Sequence, residues 1–188
     1  LSGVTTTGAQ TYGVPITLGG NATFATTNSN ITFDSTINGA YTLTTAPGSG
    51  TQTFTGNVGA TTALSNISLG GTGTKTLTGT WQGSGTLATT GSGGVSINGG
   101  SITTTGAQTY AGAVTLGADT TFTTTNAALT FDSTINGGYA LTTTAGASST
   151  AAQTFSGVMG GTTALTSATL GSSTNTGALT LRSVTTTG

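Results

Sequence analysis

Very few side chains in this sequence are able to do chemistry. The carboxylates are Asp34, Asp119 and Asp132, the cations are Lys75 and Arg182, and there is no His, Cys or Glu. Catalysis needs a nucleophile with a base, paired carboxylates or a metal site. Ser and Thr abound, but no evident base stands ready to take their protons. Without Cys there are neither disulfides nor thiolate metal sites. The sequence therefore predicts a protein that is not an enzyme, with no catalytic residue, no cofactor and no metal. Asp34 and Asp132 share the motif FDSTING, each with an Asn four residues on (Asn38, Asn136). Calcium held by Asp34 and Asn38 is the one metal chemistry on offer. One carboxylate per copy is a thin supply for an ion that takes about six or more oxygens, and the Gly-rich, Asp-bearing nonapeptide of calcium-binding solenoids is missing. The expectation is instead a turn residue whose carboxylate caps backbone N–H groups, with Asp34 and Asp132 stacking at equivalent places.

Aromatic residues recur in pairs: Tyr12/Tyr110, Phe24/Phe122, Phe33/Phe131, Tyr41/Tyr139 and Phe54/Phe155. They read either as a platform on which sugars or bases stack, or as interior rungs and corner fillers. A shared repeat phase is what stacking demands, so the second reading is expected. Trp81 has no counterpart and is the single candidate for a surface contact. Runs of TTT at 5–7, 103–105, 123–125, 142–144 and 185–187 raise the idea of flat TxT ranks that order water, as in ice-binding proteins. Along the sequence the runs do not recur every coil, so outward Thr that hydrates the surface and favours strands is the plainer expectation. Three Asn-X-Ser/Thr triplets, at Asn21, Asn30 and Asn66, are chance-level matches in so Thr-rich a chain.

The elements that must position these residues are all β. Charged residues make up 3% of the 188 and there are 33 Gly. Helix-favouring Glu, Lys, Arg and Met are nearly absent, whereas β-branched Thr dominates. Net charge is −1, so phosphate-driven nucleic-acid binding has no basis. No apolar run is long enough to span a membrane and no signal peptide starts the chain, so membrane insertion is not expected.

Internal repetition decides the architecture. Residues 4–48 align with 102–146 without a gap at an offset of 98, and 29 of the 45 positions are identical. Substitutions such as Val4/Ile102, Ile16/Val114 and Ile31/Leu129 keep their class, as interior positions do. The match resumes from 52–70 to 153–171 after three extra residues, which fall in the stretch around PGSG (47–50) and GASSTA (146–151) and read as a loop. Two repeat units result, 4–101 and 102–183, with a third beginning at 184. After the matched part, 31 residues follow in the first unit and 12 in the second, a difference of 19. A β-solenoid coil takes about 20 residues, and losing one leaves every other contact in phase. A sandwich or barrel would have to rebuild its sheet. Residues 1–188 are therefore expected to form one continuous β-solenoid segment of a longer tandem array, roughly five coils in the first unit and four in the second.

Alternating pairs such as Ile16/Leu18, Ile31/Phe33 and Val114/Leu116 predict short strands with one face inward. Gly-rich stretches between them predict corners. Asn38-Gly39 and Asn136-Gly137 also suit a type I′ hairpin, an antiparallel alternative at those places. In residues 72–80 (TGTKTLTGT) Thr takes one face and Lys75 and Leu77 the other. A lone buried cation is costly, so the inward face is left open.

The segments TTTGAQTY (103–110), VTLGADTTF (114–122), LTFDSTINGGYALTTTAG (129–146) and QTFSGVMGGTTALTSATLG (153–171) resemble the repeats of filamentous-haemagglutinin-like giant exoproteins of Gram-negative bacteria. The resemblance covers nearly the whole chain, in motifs of low complexity. It implies a right-handed parallel β-helix at the cell surface, export through a partner outer-membrane pore, and a part in adhesion, biofilm or matrix formation, or contact with host or neighbouring cells. The expected function is a structural extracellular rod or fibre segment that associates end to end or continues in the same chain. The competing class is a binding module whose lateral face recognises a glycan, a host protein or ice.

Overall fold

A computed structural model describes residues 3–146, 150–171 and 174–188. The alternating pairs become three-residue strands whose outer two side chains are buried and whose middle Thr or Ser turns outward, as in Ile31–Phe33, Gln52–Phe54, Val114–Leu116 and Leu129–Phe131. Strands this short cannot persist alone. Each is paired in parallel with the equivalent strand of the next turn, and among the described residues no pairing is antiparallel. The result is an all-β solenoid of about 8 turns with ~21 residues per turn and, among the described residues, no helix.

Three strand columns form its sides. Face 1 starts with Gly3–Thr6, Ala22–Thr26, Leu43–Ala46 and Ile67–Leu69 and continues through Gln108–Tyr110 to Leu129–Phe131. Face 2 runs from Gln10–Tyr12 through Gln52–Phe54, Lys75–Leu77 and Val95–Ile97 to Ile135–Asn136. Face 3 runs from Ile16–Thr17 through Ile37, Val58 and Trp81 to Ser101–Thr104, Thr120–Thr124, Ala140–Thr144 and Ser167–Leu170. The long strand Gln153–Met159 joins faces 1 and 2 by pairing with Leu129–Phe131 and with Ile135. The core is the enclosed column of inward side chains, from Phe24, Phe33 and Phe54 to Phe131, Phe155 and Met159.

At the corners the ladder is continued by side chains. Asn21 Oδ1 accepts the N–H of Thr42 at 3.0 Å, Asn30 Oδ1 that of Thr51 at 3.0 Å, Asn57 Oδ1 that of Thr80 at 2.9 Å and Asn66 Oδ1 that of Thr86 at 2.9 Å, each in the next turn. Donors that the turn leaves unpaired are thereby satisfied. The Asn-Gly pairs are corners too, and the hairpin alternative is ruled out by the parallel register on both sides. Gly39 and Gly137 take φ of 125° and 131°, and a Cβ there would lie 2.6 Å from Leu18 O and 2.3 Å from Leu116 O. Only glycine fits both the torsion and the approach. Lys75 and Leu77 point inward, which settles the orientation of 72–80. The first-copy loop is a tight turn in which Gly50 N donates to Pro47 O at 3.0 Å. In the second copy the extra residues fall within 147–152, of which 147–149 lie outside the described residues.

The units hold fewer turns than the whole numbers expected from sequence. Val4 lies on face 1 and its counterpart Ile102 on face 3, so the first unit advances 4⅔ turns. From Ile102 to Val184, which pairs with Met159 in the face 2 column, the second advances 3⅔. The difference is one coil, as the 19-residue deficit required. Val58 reaches Ile102 through Trp81 in two steps, whereas Met159 reaches Val184 in one. Since Gln52 and Val95 both pair with Lys75, deleting residues 75–94 is expected to seat Val95 on Gln52 and leave a cooperatively folded shorter solenoid. Deleting only 75–84 is expected to abolish cooperative unfolding. Far-UV circular dichroism with thermal melts compares the two, and equal disruption by both would defeat the interchangeable-coil account.

Candidate functional site

The residues singled out from sequence form two copies of one internal constellation and one surface feature. In the first copy Tyr12 stacks on Phe33 at 5.1 Å, Phe33 on Phe54 at 5.0 Å, and Phe24 meets both Tyr12 and Phe33 edge-on at 5.1 Å. In the second, Tyr110 stacks on Phe131 at 4.8 Å, Phe131 on Phe155 at 5.2 Å, and Phe122 is edge-on to Tyr110 and Phe131 at 5.3 and 5.1 Å. These four sets are interior rungs. The stacks run between successive turns of one unit, not between counterparts, because counterparts are 4⅔ turns apart. The same separation corrects the expected stacking of Asp34 on Asp132. Asp34 follows Phe33 on face 2 and Asp132 follows Phe131 on face 1. Both carboxylates are exposed and accept no hydrogen bond among the described residues. The capping expected of them is done by Asp119, whose Oδ1 accepts the N–H of Ala140 at 2.9 Å. Asn38, the other proposed calcium ligand, spends its Oδ1 on the N–H groups of Thr61 and Thr62 at 2.9 and 3.3 Å. Among the described residues no three of His, Cys, Asp or Glu gather where they could hold a metal.

Trp81 overturns its expected role as a surface contact. Its side chain is 0% exposed, on face 3 between Val58 and Ile102, with its ring 4.9 Å from that of Phe54. An inward position in a narrow core rewards the largest apolar surface. Its Nε1–H is buried without a hydrogen-bond partner among the described residues.

A buried polar network escaped the sequence reading. Gln10 Nε2 donates to Val4 O, Thr6 Oγ1 and Ala25 O at 3.1, 3.1 and 2.8 Å, while Tyr12 Oη donates to Gln10 Oε1 at 3.0 Å. Gln108 repeats it with Ile102 O, Thr104 Oγ1 and Thr123 O at 3.2, 3.1 and 2.8 Å, and Tyr110 Oη at 2.9 Å. Gln52 and Gln153 accept from Thr45 and Thr143 in the same manner. A signal was present: QTY and QTF place Gln in the inward phase of an alternating strand. Lys75 occupies the same column, paired with Gln52, and its ammonium donates to Gly71 O at 3.0 Å and Gly73 O at 3.3 Å. Burial lowers its pKa from 10.5, and burial holds the Tyr110 phenol well above 10.0.

On the outside, the threonines are more regular than the sequence suggested. Three TTT runs, 103–105, 123–125 and 142–144, stack on consecutive turns of face 3. Two parallel ranks result, Thr103–Thr123–Thr144 and Ser101–Thr121–Thr142–Thr169. Tyr41 and Tyr139 stand apart from the other aromatics: each sits at a corner, 41% and 40% exposed. An opening of about 130 Å³ near Gln153, Leu170 and Asn175 carries no charged side chain.

Comparison with known protein families, with curated proteins and with solved structures finds no match to this chain.

A buried Trp81 predicts blue-shifted fluorescence that resists acrylamide, and emission like that of free tryptophan would contradict its placement. Lys75, Tyr110 and Tyr12, whose phenol burial also raises, predict a pH profile. Between the lowered pKa of Lys75 and 10.5 the unfolded chain holds a proton the folded chain lacks, so stability rises with pH across that window. Above 10.0 the unfolded chain loses the Tyr110 proton that the folded chain keeps, so stability falls. Urea titrations should find Lys75→Met neutral or stabilising at neutral pH and without the rise, since a buried cation gains little over an apolar isostere. Tyr110→Phe should reduce the alkaline fall.

Proposed function

We propose that this chain is a load-bearing segment of an extracellular rod or fibre on a bacterial surface, supporting adhesion, biofilm or matrix formation. One observation carries the reading: a ladder of parallel strands in which each turn is hydrogen-bonded to the next throughout the described residues. Among the described residues, Gly3–Thr6 pairs only with Ala22–Thr26, and Leu179–Val184 only with Gln153–Met159. Leu179, Leu181 and Val184 are exposed beside that last edge. Open edges are templates for another strand, and stability in a solenoid adds up turn by turn. Further coils of the same chain, or the first coil of a second copy, are the natural occupants. The resemblance to giant exoproteins supports export through an outer-membrane pore and a rod that meets host or neighbouring cells. The reading assigns the chain no reaction, no nucleic acid and no insertion into a membrane.

The purified segment is expected to grow into thin unbranched filaments in electron micrographs, and Leu181→Lys is expected to keep it monomeric. A wild-type segment that stays monomeric at its highest soluble concentration, with no rise in sedimentation coefficient, would remove the support of the open edges.

A second reading rests on the stacked TTT runs. Residues two apart on a strand lie about 6.6 Å apart and successive turns about 4.8 Å, so face 3 presents hydroxyls and methyls on a regular grid. A periodic ligand such as ice suits that grid better than a flexible glycan or a host protein does. Thermal hysteresis lost on Thr123→Lys would support a binding face, and no hysteresis in the wild type would dismiss it.

A further inference from the structure

The two units are built alike but turned against each other. Phe24, Phe33 and Ile37 lie on faces 1, 2 and 3, whereas Phe122, Phe131 and Ile135 lie on faces 3, 1 and 2. Every counterpart is one face back, because 4⅔ turns is a third of a turn short of five. Anything that protrudes once per unit is therefore displayed in a new direction by the next unit.

One feature protrudes once per unit. Past Ile37 the chain turns at Asn38-Gly39 and presents Tyr41. One turn later, between Val58 and Ile67, the path is longer by a few residues than in the following turn: Leu43 pairs with Ile67 after 24 residues, Ile67 with Leu87 after 20. The surplus forms the loop 59–63, in which Ala60, Thr61 and Thr62 are exposed. Asn38 Oδ1 clamps it through Thr61 and Thr62, Gly39 N donates to Thr62 O at 3.1 Å, and Ser65 N to Tyr41 O at 3.0 Å. The second unit repeats every one of these bonds. Asn136 Oδ1 accepts from Thr162 and Thr163 at 2.8 and 3.3 Å, Gly137 N donates to Thr163 O at 3.3 Å, and Thr166 N to Tyr139 O at 3.1 Å. The first knob stands between faces 3 and 1, the second between faces 2 and 3.

Each knob holds an exposed tyrosine on a rigid base, with its hydroxyl unpartnered among the described residues. All other aromatic rings belong to the core stacks, Tyr12 half-buried at their edge. No charged residue lies in either knob, and the whole chain carries a net charge of −1. Rods so nearly neutral have almost no mutual repulsion to overcome. Tyrosine offers large contact area for little side-chain entropy. We infer that the Tyr41 and Tyr139 knobs are the contacts through which copies of the rod join side by side, each unit reaching a neighbour in a direction a third of a turn from the last. The partner is a second copy of this chain. A single knob contributes little, and the many knobs of a long array add through effective concentration. Lateral joining rests on the rod reading above, while the crosslink below scores knob contact between individual segments even without filaments.

The test uses the 188-residue chain, which has no Cys. Wild-type filaments are expected to pair or bundle in electron micrographs, and Tyr41→Ser with Tyr139→Ser to yield single filaments of unchanged length and unchanged circular dichroism. Thr61→Cys is expected to form intermolecular disulfides under mild oxidation, lost for the most part once both tyrosines are replaced. Bundles and crosslinks that persist without the tyrosines overturn the inference. So does tyrosine-dependent capture of a neutral polysaccharide by rods that never pair, which would give the knobs to a sugar. Absence of filaments with crosslinking intact counts against axial growth alone.

Discussion

Each turn of this protein is completed only by the turns above and below it. A three-residue strand makes no useful hydrogen bonds within itself, so its backbone must be satisfied by the equivalent strand about 21 residues away. That requirement explains why charge is scarce, why Thr fills the outward positions and why glycine stands at the corners. A parallel stack puts like residues on like, and stacked charges of one sign would repel at every step. Stacked threonines do not, and their branched Cβ favours the extended backbone. Where the chain turns and the ladder is interrupted, Asn21, Asn30, Asn57 and Asn66 each lend a side-chain oxygen to the next turn.

Within this frame the core needs its own means of staying in register, since threonine and glycine specify little. Two devices provide it. Aromatic rings stacked over successive turns, Tyr12–Phe33–Phe54 and Tyr110–Phe131–Phe155, must be aligned to touch. Buried glutamines bonded to strand carbonyls of the neighbouring face and to those same tyrosines fix the position of one face relative to the next. A slip of one residue would strand these amides without partners, at the cost of a buried unsatisfied polar group. Lys75 is the exception in that column, a cation whose stem packs as an apolar chain while its head reaches two carbonyls at the corner.

The faces of the solenoid are interchangeable. The same residues serve face 2 in one unit and face 1 in the next, with the same ring geometry and the same glutamine bonds. Nothing in the packing therefore requires a unit to contain a whole number of turns. Units of 4⅔ and 3⅔ turns coexist in one chain because the next unit can begin on whichever face the last one reaches, Ile102 on face 3 and Val184 in the face 2 column. A surface feature tied to the repeat then winds around the rod rather than running along one side.

Architecture was legible in the chain itself. The offset of 98, the 19-residue deficit and the alternating pairs such as Ile31/Phe33 determined a stack of coils, because only a stack tolerates removal of one step. The missing His, Cys and Glu likewise determined how little chemistry was to hand. What period-two patterning does not carry is the turn length to a third of a coil, and on that depends which residues meet. So the stacking of Asp34 on Asp132 failed, three TTT runs far apart in sequence proved to be neighbours, and Trp81 lay in the core despite having no counterpart. Tyr41 and Tyr139 share the repeat phase of the other rings, yet their place just past a corner glycine turns them outward. Those assignments belong to the tertiary structure, because the side on which a residue lands is the accumulated sum of every turn before it, and each corner loop shifts that sum.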